Sequence, residues 1–382
     1  MRDVGWNEVR ARRLARSQLH ERASGDRVVR LASALCGVHA QVQASAELQL
    51  AIRLDGLTQD DVRAALWKER TLVKAWTVRG TLHLHPAEEL SLWLAARRAV
   101  LGSAAESLPA WRDPQGATHP ALGAEEVEAV RAAVRDALDG RCLLREELAA
   151  AVVERLGDGP QERLRSGFAF FLGDLCQGPP QGSRITLARP DQWVAGWQEV
   201  TDEREALREI CRRFLRTYGP TRPADFRKWF SSRALTAAEA QALFDELAPE
   251  VDEIDVGGRR CFVLAGDISF PQPTPTAVRL LPEYDVYVMG FRERDQLVPD
   301  AVRELIAQSG RGRYEGPAGT RLVVVGGIAA GTWERRRRGR RLELSVRLAR
   351  RPGRPLRRAL AHEAERIGAF LGLEPTLQIE SD

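Results

Sequence analysis

The chain has 382 residues, of which 44% are hydrophobic and 29% are charged, and its formal net charge is +4. This is the ordinary balance of a soluble globular protein, and the length predicts about two to four domains. No stretch approaches the roughly 18 consecutive apolar residues that a membrane-spanning helix needs. The first residues lack the apolar stretch of a secretory signal, so we expect a cytoplasmic protein.

The first third of the chain predicts helices followed by a β-hairpin. Thr58 is a good N-cap residue for the last of these helices. Residues 71–85 are rich in β-branched side chains and carry Arg79-Gly80 at their middle, which predicts two strands joined by a tight turn. Helices followed by a hairpin are the order of a winged helix. The predicted helices span residues 6–23, 27–35, 45–53 and 58–67.

The same order returns twice after a stretch rich in proline and glycine at residues 109–123, which we interpret as a linker. The predicted hairpins span residues 179–193 and 251–264, and the second turns at Gly257-Gly258. The predicted helices span residues 125–138, 145–156, 201–217, 224–230 and 236–247. Three rounds of helices and hairpin suggest three tandem winged-helix units.

The last part of the chain changes character. Strand-like segments occupy residues 277–291, 320–336 and 340–350, and a final amphipathic helix is predicted at 356–371. We therefore predict an α+β protein in which three winged-helix domains are followed by a C-terminal β-barrel-like domain with a closing helix. The predicted domains span residues 1–115, 116–198, 199–272 and 273–382.

A run of arginines lies between two of the strand-like segments. Because Gly339 permits a turn, the arginines would stand at the tip of a hairpin. Guanidinium groups placed so close together repel one another unless an anion is near, so DNA phosphates are the obvious partner. The alternative is a solvated loop. The residues we assign to DNA binding here are Arg335, Arg336, Arg337 and Arg338.

The first predicted hairpin mixes basic, polar and aromatic residues. Lys74, Trp76, Arg79 and Thr81 suit phosphate contact and base stacking, and we assign them to DNA binding as well. For Trp76 alone, packing in the domain core is the better interpretation. Winged helices usually bind DNA, but they also serve as protein-binding modules, so a scaffold acting on proteins stays an alternative.

Residues 37–45, GVHAQVQAS, form the most informative polar segment. Gly37 makes a break from helix plausible, and on an extended segment residues two apart share one side. His39 and Gln41 could then hold one water, with the histidine accepting its proton and the amide orienting it. A polar turn between two helices is the plainer explanation of the same residues.

The cysteines and the basic residues bear on which kinds of site and partner the chain can have. The cysteines are scattered and form no CxxC pair, so buried free thiols explain them better than disulfides or a zinc site. We expect neither a metal nor a cofactor. Arginine supplies almost all of the positive charge, which suits phosphate binding, although a GC-rich genome explains this bias equally well. The cysteines are Cys36, Cys142, Cys176, Cys211 and Cys261.

Several segments, in order, resemble the AlkZ-type bacterial DNA glycosylases. They include LCGVHAQVQASAELQLAIR at 35–53, RTLVKAWTVRGTLHLHP at 70–86 and LLPEYDVYVMGFRERDQLV at 280–298. WNEVRARRLARSQL at 6–19 and GPTRPADFRKWF at 219–230 are also similar to the family. The resemblance implies three winged helices in a concave arrangement with a C-terminal β-barrel.

The family's catalytic motif, as the resemblance implies, is a Gln-aliphatic-Gln triplet that positions a water. The flanking residues align this triplet with His39-Ala40-Gln41, so a histidine stands at its first position. This variant looks like enzymes that protect producers of DNA-alkylating antibiotics. Gln41-Val42-Gln43 is a Gln-aliphatic-Gln triplet shifted by two residues, and it stays an alternative.

The resemblance leads us to expect a monofunctional DNA glycosylase of base excision repair. It would hydrolyse the N-glycosidic bond of bulky N7-alkylguanine in double-stranded DNA, without a cofactor. We expect a monomer, because the tandem units already supply a surface with several sites. The lesion could be flipped into a pocket or read within the duplex. The competing class is a non-enzymatic winged-helix DNA-binding protein, either a regulator or a lesion sensor.

Overall fold

The structure, a computed structural model, describes residues 2–102, 107, 109–112, 116, 118–157, 173–231, 234–272, 276–308 and 316–381. Part of the predicted linker at 109–123 therefore lies outside the described residues. The chain divides into two compact units. The first unit comprises Met1–Arg63, Cys211–Trp229 and Ala240–Asp382, and the second comprises Ala64–Ile210 and Phe230–Glu239. Within the described ranges, no helix is both long and apolar enough to cross a membrane.

Helices and strands alternate along the described residues, as the sequence predicts. The helices are Trp6–Arg16, Val28–Ala34, Gln43–Ala51, Gln59–Trp67, Leu90–Leu101, Ala124–Ala137, Arg145–Leu156, Pro190–Trp193, Glu203–Tyr218, Pro223–Phe230, Ala237–Glu246, Val286–Gly290, Arg294–Leu297, Asp300–Gln308 and Arg354–Leu371. The strands are Arg2–Val4, Ala23–Ser24, Val38–His39, Leu54–Asp55, Leu72–Trp76, Leu82–Pro86, Trp111–Arg112, Thr118–His119, Leu143–Leu144, Cys176–Gln181, Arg184–Ala188, Val251–Val256, Arg260–Leu264, Val278–Leu281, Leu322–Val325, Ile328–Arg338, Arg341–Leu348 and Glu374–Ser381.

A five-stranded sheet dominates the first unit. Buried residues of the strand Arg341–Leu348 alternate with exposed or half-buried ones, as expected for a sheet with one face on a core. Neighbouring strands are antiparallel except for the last pair, which is parallel. The strand order is Val278–Leu281, Leu322–Val325, Ile328–Arg338, Arg341–Leu348 and Glu374–Ser381.

The prediction of a barrel-like C-terminal domain is wrong, because this sheet is open. Barrel closure requires the two edge strands to pair. Among the described strands, no pairing joins Val278–Leu281 to Glu374–Ser381. The predicted closing helix is present as Arg354–Leu371, and it contacts both edge strands. The helix Arg354–Leu371 therefore packs against both edge strands, which, within the described residues, do not pair with each other.

The predicted strand at residues 277–291 is wrong beyond Leu281. Pro282 cannot donate a hydrogen bond to a strand ladder, which favours a strand end at this point. Asp285 then acts as an N-cap, since its carboxylate accepts a hydrogen bond from the Tyr287 amide at 2.9 Å. The chain continues as the helix Val286–Gly290.

The second unit contains the first two predicted hairpins. Leu72–Trp76 pairs with Leu82–Pro86, and Cys176–Gln181 pairs with Arg184–Ala188, both antiparallel. These strands lie side by side in one sheet. The helices Ala124–Ala137 and Arg145–Leu156 pack together on a core that includes Leu187 of this sheet. The third predicted hairpin forms in the first unit, from Val251–Val256 and Arg260–Leu264.

A buried ion pair joins distant segments of the first unit. Arg53 and Asp285 have fully buried side chains and form two hydrogen bonds of 2.7 and 2.8 Å. The Arg53 guanidinium also donates to the carbonyl oxygens of Ser17 and Gln49, each at 2.8 Å. Because every one of these contacts is charge-assisted and dry, the pair fixes the positions of the segments around it.

We predict that Arg53→Met lowers the free energy of unfolding by about 3–5 kcal/mol, because it leaves the Asp285 carboxylate buried without its partner. Urea unfolding of the whole chain measures this loss. The matched control is Arg303→Met, which breaks a 3.1 Å ion pair between the exposed side chains of Arg303 and Asp300. That variant should lose less than about 1 kcal/mol. Similar losses in the two variants would contradict the structural role of the buried pair.

Candidate active site

The helix Val28–Ala34 ends just before the His39 segment, near Gly37, where the sequence predicts a break. Cys36 and Gly37 both take left-handed backbone conformations, with φ of 58° and 87°, and these end the helical path after Val28–Ala34. Val38–His39 is then extended. The His39 side chain is 5% exposed, whereas Gln41 is exposed to solvent. A buried imidazole thus lies two residues before an accessible amide.

The side chain of Gln49 holds the backbone of this segment. Its amide nitrogen donates to the His39 carbonyl oxygen at 3.0 Å, and its amide oxygen accepts from the Val286 backbone at 3.2 Å. Gln49 is fully buried, so both ends of its amide are satisfied away from water. One buried amide therefore links the His39 backbone to the helix that begins after Asp285.

An aromatic residue lies beside the imidazole. The rings of His39 and Tyr284 have centroids 5.2 Å apart and planes tilted by 36°. Tyr284 is half-buried and directly precedes Asp285, whose carboxylate is bound by Arg53. The buried ion pair and the Gln49 amide thus support the two backbone segments that bring these rings together.

A buried carboxylate organises the residues after the segment. Glu47 is 2% exposed, and its oxygens accept from the Gln43 amide at 3.2 Å and from the Gln59 amide at 2.5 Å. Arg63 approaches the same carboxylate at 3.4 Å. Gln43 is the first residue of the helix Gln43–Ala51, and the hydrogen bond of its amide joins its side chain to Glu47 one turn later.

A hydrogen bond and a set of ion pairs connect this helix to the arginine hairpin. Ser45 donates a hydrogen bond to the Glu283 carbonyl oxygen. The Glu283 carboxylate binds the Arg321 guanidinium through two hydrogen bonds of 2.6 and 3.0 Å, and Arg321 also donates to Glu334 at 2.9 Å. Burial opposes ionisation of Glu283, but Arg321 outweighs it and lowers the pKa of this carboxyl.

The predicted arginine hairpin is present. Ile328–Arg338 and Arg341–Leu348 pair in register up to Arg338 opposite Arg341, and Gly339 has the left-handed φ of 60° that a two-residue turn requires. Arg338 pairs with Glu343 at 3.2 Å. The exposed arginines of the tip are Arg336, Arg337, Arg338, Arg340 and Arg341.

Arg335 differs from the rest of the run because it lies at the base of the hairpin and is half-buried. Burial and the charge of Arg321 lower its pKa, while the carboxylates of Glu283 and Glu47 act in the opposite direction. The base of the hairpin therefore shares an electrostatic environment with the residues that follow the His39 segment, and its tip faces solvent.

The candidate residues of the first hairpin belong to the second unit and differ in access. Lys74 is 3% exposed within its strand, which leaves its ammonium group little access to a phosphate. Trp76 is half-buried and packs against the helical core of this unit, the interpretation that its sequence context favours. Arg79 and Thr81 are half-buried at the turn, where Arg79 has a left-handed φ of 57°.

Sequence reasoning missed Gln49 and Tyr284, which contact His39. It also missed Glu47 and Arg321, which bind side chains of the neighbouring segments. Gln49 carried a usable signal, because it is a polar residue enclosed by Leu48 and Leu50 in an apolar stretch. A buried amide in such a place needs partners. The described residues contain no group of three or more histidine, cysteine, aspartate or glutamate side chains that could hold a metal ion.

Comparison with known proteins agrees with the resemblance seen in the sequence. Residues 32–370 match the family model described as DNA glycosylase AlkZ-like. The interstrand DNA cross-link repair glycosylase of Streptomyces sahachiroi is 32% identical over 347 residues, which cover 87% of this chain and 88% of that protein. The structure of the Streptomyces sahachiroi DNA glycosylase AlkZ superposes with a TM-score of 0.78 at 27% identity, covering 99% of this chain and 100% of that chain. This chain therefore belongs to the AlkZ-like DNA glycosylase family, and it is a DNA glycosylase.

Proposed function

We propose that this glycosylase is monofunctional and hydrolyses the N-glycosidic bond of bulky N7-alkylguanine in double-stranded DNA, with His39 and Gln41 as its catalytic pair. The observation that carries the proposal is the His39 segment: an extended backbone clamped by Gln49, with a buried imidazole followed by an accessible amide. The relative from Streptomyces sahachiroi is named for interstrand cross-link repair, which supports a bulky lesion as the substrate.

The chemistry needs little more than a positioned water. Alkylation at N7 makes the guanine cationic, so the base leaves with the electron pair of its C1′–N9 bond and becomes neutral. The attacking water forms the new C1′–O bond and gives its proton to the His39 imidazole, because an unprotonated ring nitrogen can act as a general base. Gln41 orients the water through its amide. Holding the water in attack geometry supplies a large part of the rate gain.

The hydrogen bond of Gln43 supports the assignment of His39 over the shifted triplet. If Gln41 and Gln43 were the pair, Gln43 would have to direct its amide to the water. Its amide nitrogen is instead engaged by the Glu47 carboxylate, which Gln59 also contacts. We therefore assign Gln43 to the support of the helix start.

The small number of lysines in the chain supports hydrolysis without strand cleavage. A lyase reaction would need an amine that forms a Schiff base with the sugar. The lysines of the chain are Lys68, Lys74 and Lys228, and none lies in the 37–45 segment. The product we propose is therefore an intact strand with an abasic site, as base excision repair uses.

The arginine hairpin is the proposed DNA contact of the first unit. Its tip presents several exposed guanidinium groups on a rigid two-stranded support, and such groups bind phosphates without reading sequence. Arg79 and Thr81 are the accessible candidates of the second unit. We further propose a monomer in which three winged-helix domains, at residues 1–115, 116–198 and 199–272, precede a C-terminal domain built on the open sheet. It would work in the cytoplasm in self-resistance to a DNA-alkylating natural product.

We predict that His39→Ala and Gln41→Ala abolish base release from a duplex with a bulky N7-alkylguanine, because neither variant holds the attacking water. Their affinity for the same duplex should stay within a few-fold of wild type. Release is measured by chromatography of the free base and affinity by fluorescence anisotropy. Gln43→Ala is the matched control and should retain most of the activity. Full activity of His39→Ala would overturn the proposed pair, and loss of activity in both Gln41→Ala and Gln43→Ala with an active His39→Ala would favour the shifted triplet.

We predict that the double variant Arg336→Gln/Arg337→Gln weakens DNA binding and flattens its salt dependence. Each lost phosphate contact should reduce the slope of log Kobs against log salt concentration by about 0.9. The control with the same change of charge is Arg357→Gln/Arg358→Gln, at two exposed positions of the helix Arg354–Leu371. An unchanged slope in the hairpin variant, or an equal change in both variants, would remove the hairpin from the DNA contact.

A further inference from the structure

The ring of Tyr284 packs on the imidazole that we assign to water activation. The two ring centroids are 5.2 Å apart, which is within the range of favourable ring contacts. His39 is 5% exposed and Tyr284 is half-buried, so the tyrosine ring covers part of the imidazole and still reaches the surface of the first unit. The imidazole is thus enclosed by a residue that the catalytic triplet does not contain.

The backbone of Tyr284 has an uncommon conformation. Its φ is 60°, a left-handed value that large side chains rarely adopt. The Tyr284 amide donates to the Ala318 carbonyl oxygen at 2.7 Å, and the next residue, Asp285, is bound by Arg53. A conformation of this kind persists only where the surroundings impose it, and it is concentrated at functional sites.

The spacing of the two rings is set from both sides. Gln49 binds the His39 carbonyl oxygen and the Val286 amide, so one side chain links the backbone on the histidine side to the backbone two residues after Tyr284. The tyrosine ring lies against the imidazole at this spacing, so it limits how far the imidazole can turn about its side-chain bonds.

We propose that Tyr284 is a positioning residue for His39: its ring restricts the imidazole to the orientation that receives the proton of the attacking water. This inference rests on the proposed role of His39. Small displacements of a catalytic group are costly, since about 1 Å can reduce a rate roughly 100-fold. Tyr284 touches neither the water nor the sugar in this account, and its whole effect passes through the imidazole.

Chemical modification tests the ring contact without relying on activity. Diethyl pyrocarbonate acylates accessible imidazole nitrogens, and peptide mass spectrometry follows its reaction with His39. Tyr284→Asn removes the ring but keeps a residue that tolerates left-handed backbone, and Tyr284→Phe keeps the ring. We expect His39 to react several-fold faster in Tyr284→Asn than in wild type, with Tyr284→Phe close to wild type. Equal rates in all three proteins would overturn the proposal.

Kinetics test whether the contact serves catalysis. We expect Tyr284→Asn to lower kcat by roughly 10- to 100-fold with little change in KM, while Tyr284→Phe restores the rate. His39→Gln places the family's usual glutamine at this position. In the His39→Gln background, Tyr284→Asn should cost less than about threefold, because there is no imidazole to misplace. The same loss of kcat in both backgrounds would overturn the positioning role. If His39→Gln releases no base, the modification rates of His39 test the proposal by themselves.

Failure of this inference and failure of the proposed function give different results. If His39→Ala releases base as fast as wild type, the proposed pair is wrong, although the modification rates still report the ring contact. If His39→Ala is inactive while Tyr284→Asn has wild-type kcat, the proposed pair stands and the positioning role falls. The two outcomes are read from the same set of purified variants.

Discussion

The buried ion pair between Arg53 and Asp285 supports most of what we assign to the site. Arg53 follows the His39 segment in the chain, after the helix Gln43–Ala51. Asp285 binds the Arg53 guanidinium and also caps the helix Val286–Gly290. The amide of Gln49 lies between these elements and holds the His39 backbone. A charged pair without solvent tolerates little displacement, because any gap would leave charge unpaired in a dry interior. The segment on which we place the chemistry is thus built on a rigid base.

This construction suits a mechanism in which the protein supplies geometry and little charge. A cationic purine is already a good leaving group, so a strong acid aimed at the base is unnecessary. A neutral imidazole and an amide suffice if both are held still. The nearby carboxylates of Glu47 and Glu283 are engaged by Gln43, Gln59 and arginines, and so they act in support of the site. A site of this kind also discriminates against undamaged bases, which need acid help to leave.

Sequence reasoning succeeded where local chemistry decides the structure. Gly37 correctly predicted the break before His39, and Thr58 predicted the start of the helix Gln59–Trp67. Gly339 predicted the turn of the arginine hairpin. These features depend on turn and cap preferences that act over a few residues. From the residues alone, His39 and Gln41 were one interpretation of a polar segment that has a plainer explanation, and the family resemblance identified them with a catalytic triplet.

The sequence was least informative where distant segments meet. The contact of Tyr284 with His39 and the pairing of Arg53 with Asp285 depend on tertiary packing that no local pattern contains. The open sheet is a related case. The alternating residues of Glu374–Ser381 are a strand signal, but nothing local shows that this strand pairs in parallel with Arg341–Leu348 and leaves the sheet open. A strand pattern predicts a strand, and its partner is chosen by the whole fold.

The most direct measurement compares base release from two duplexes that carry the same bulky alkyl group, one at N7 and the other at O6 of guanine. The N7 adduct is cationic and the O6 adduct is neutral, while size and hydrophobicity are matched. If a neutral pair acts only on a base that is already a good leaving group, the N7 adduct is released at least ~100-fold faster, after subtraction of spontaneous loss in buffer. Release of both adducts at similar rates would show that the enzyme supplies acid catalysis to the base, and it would contradict the account.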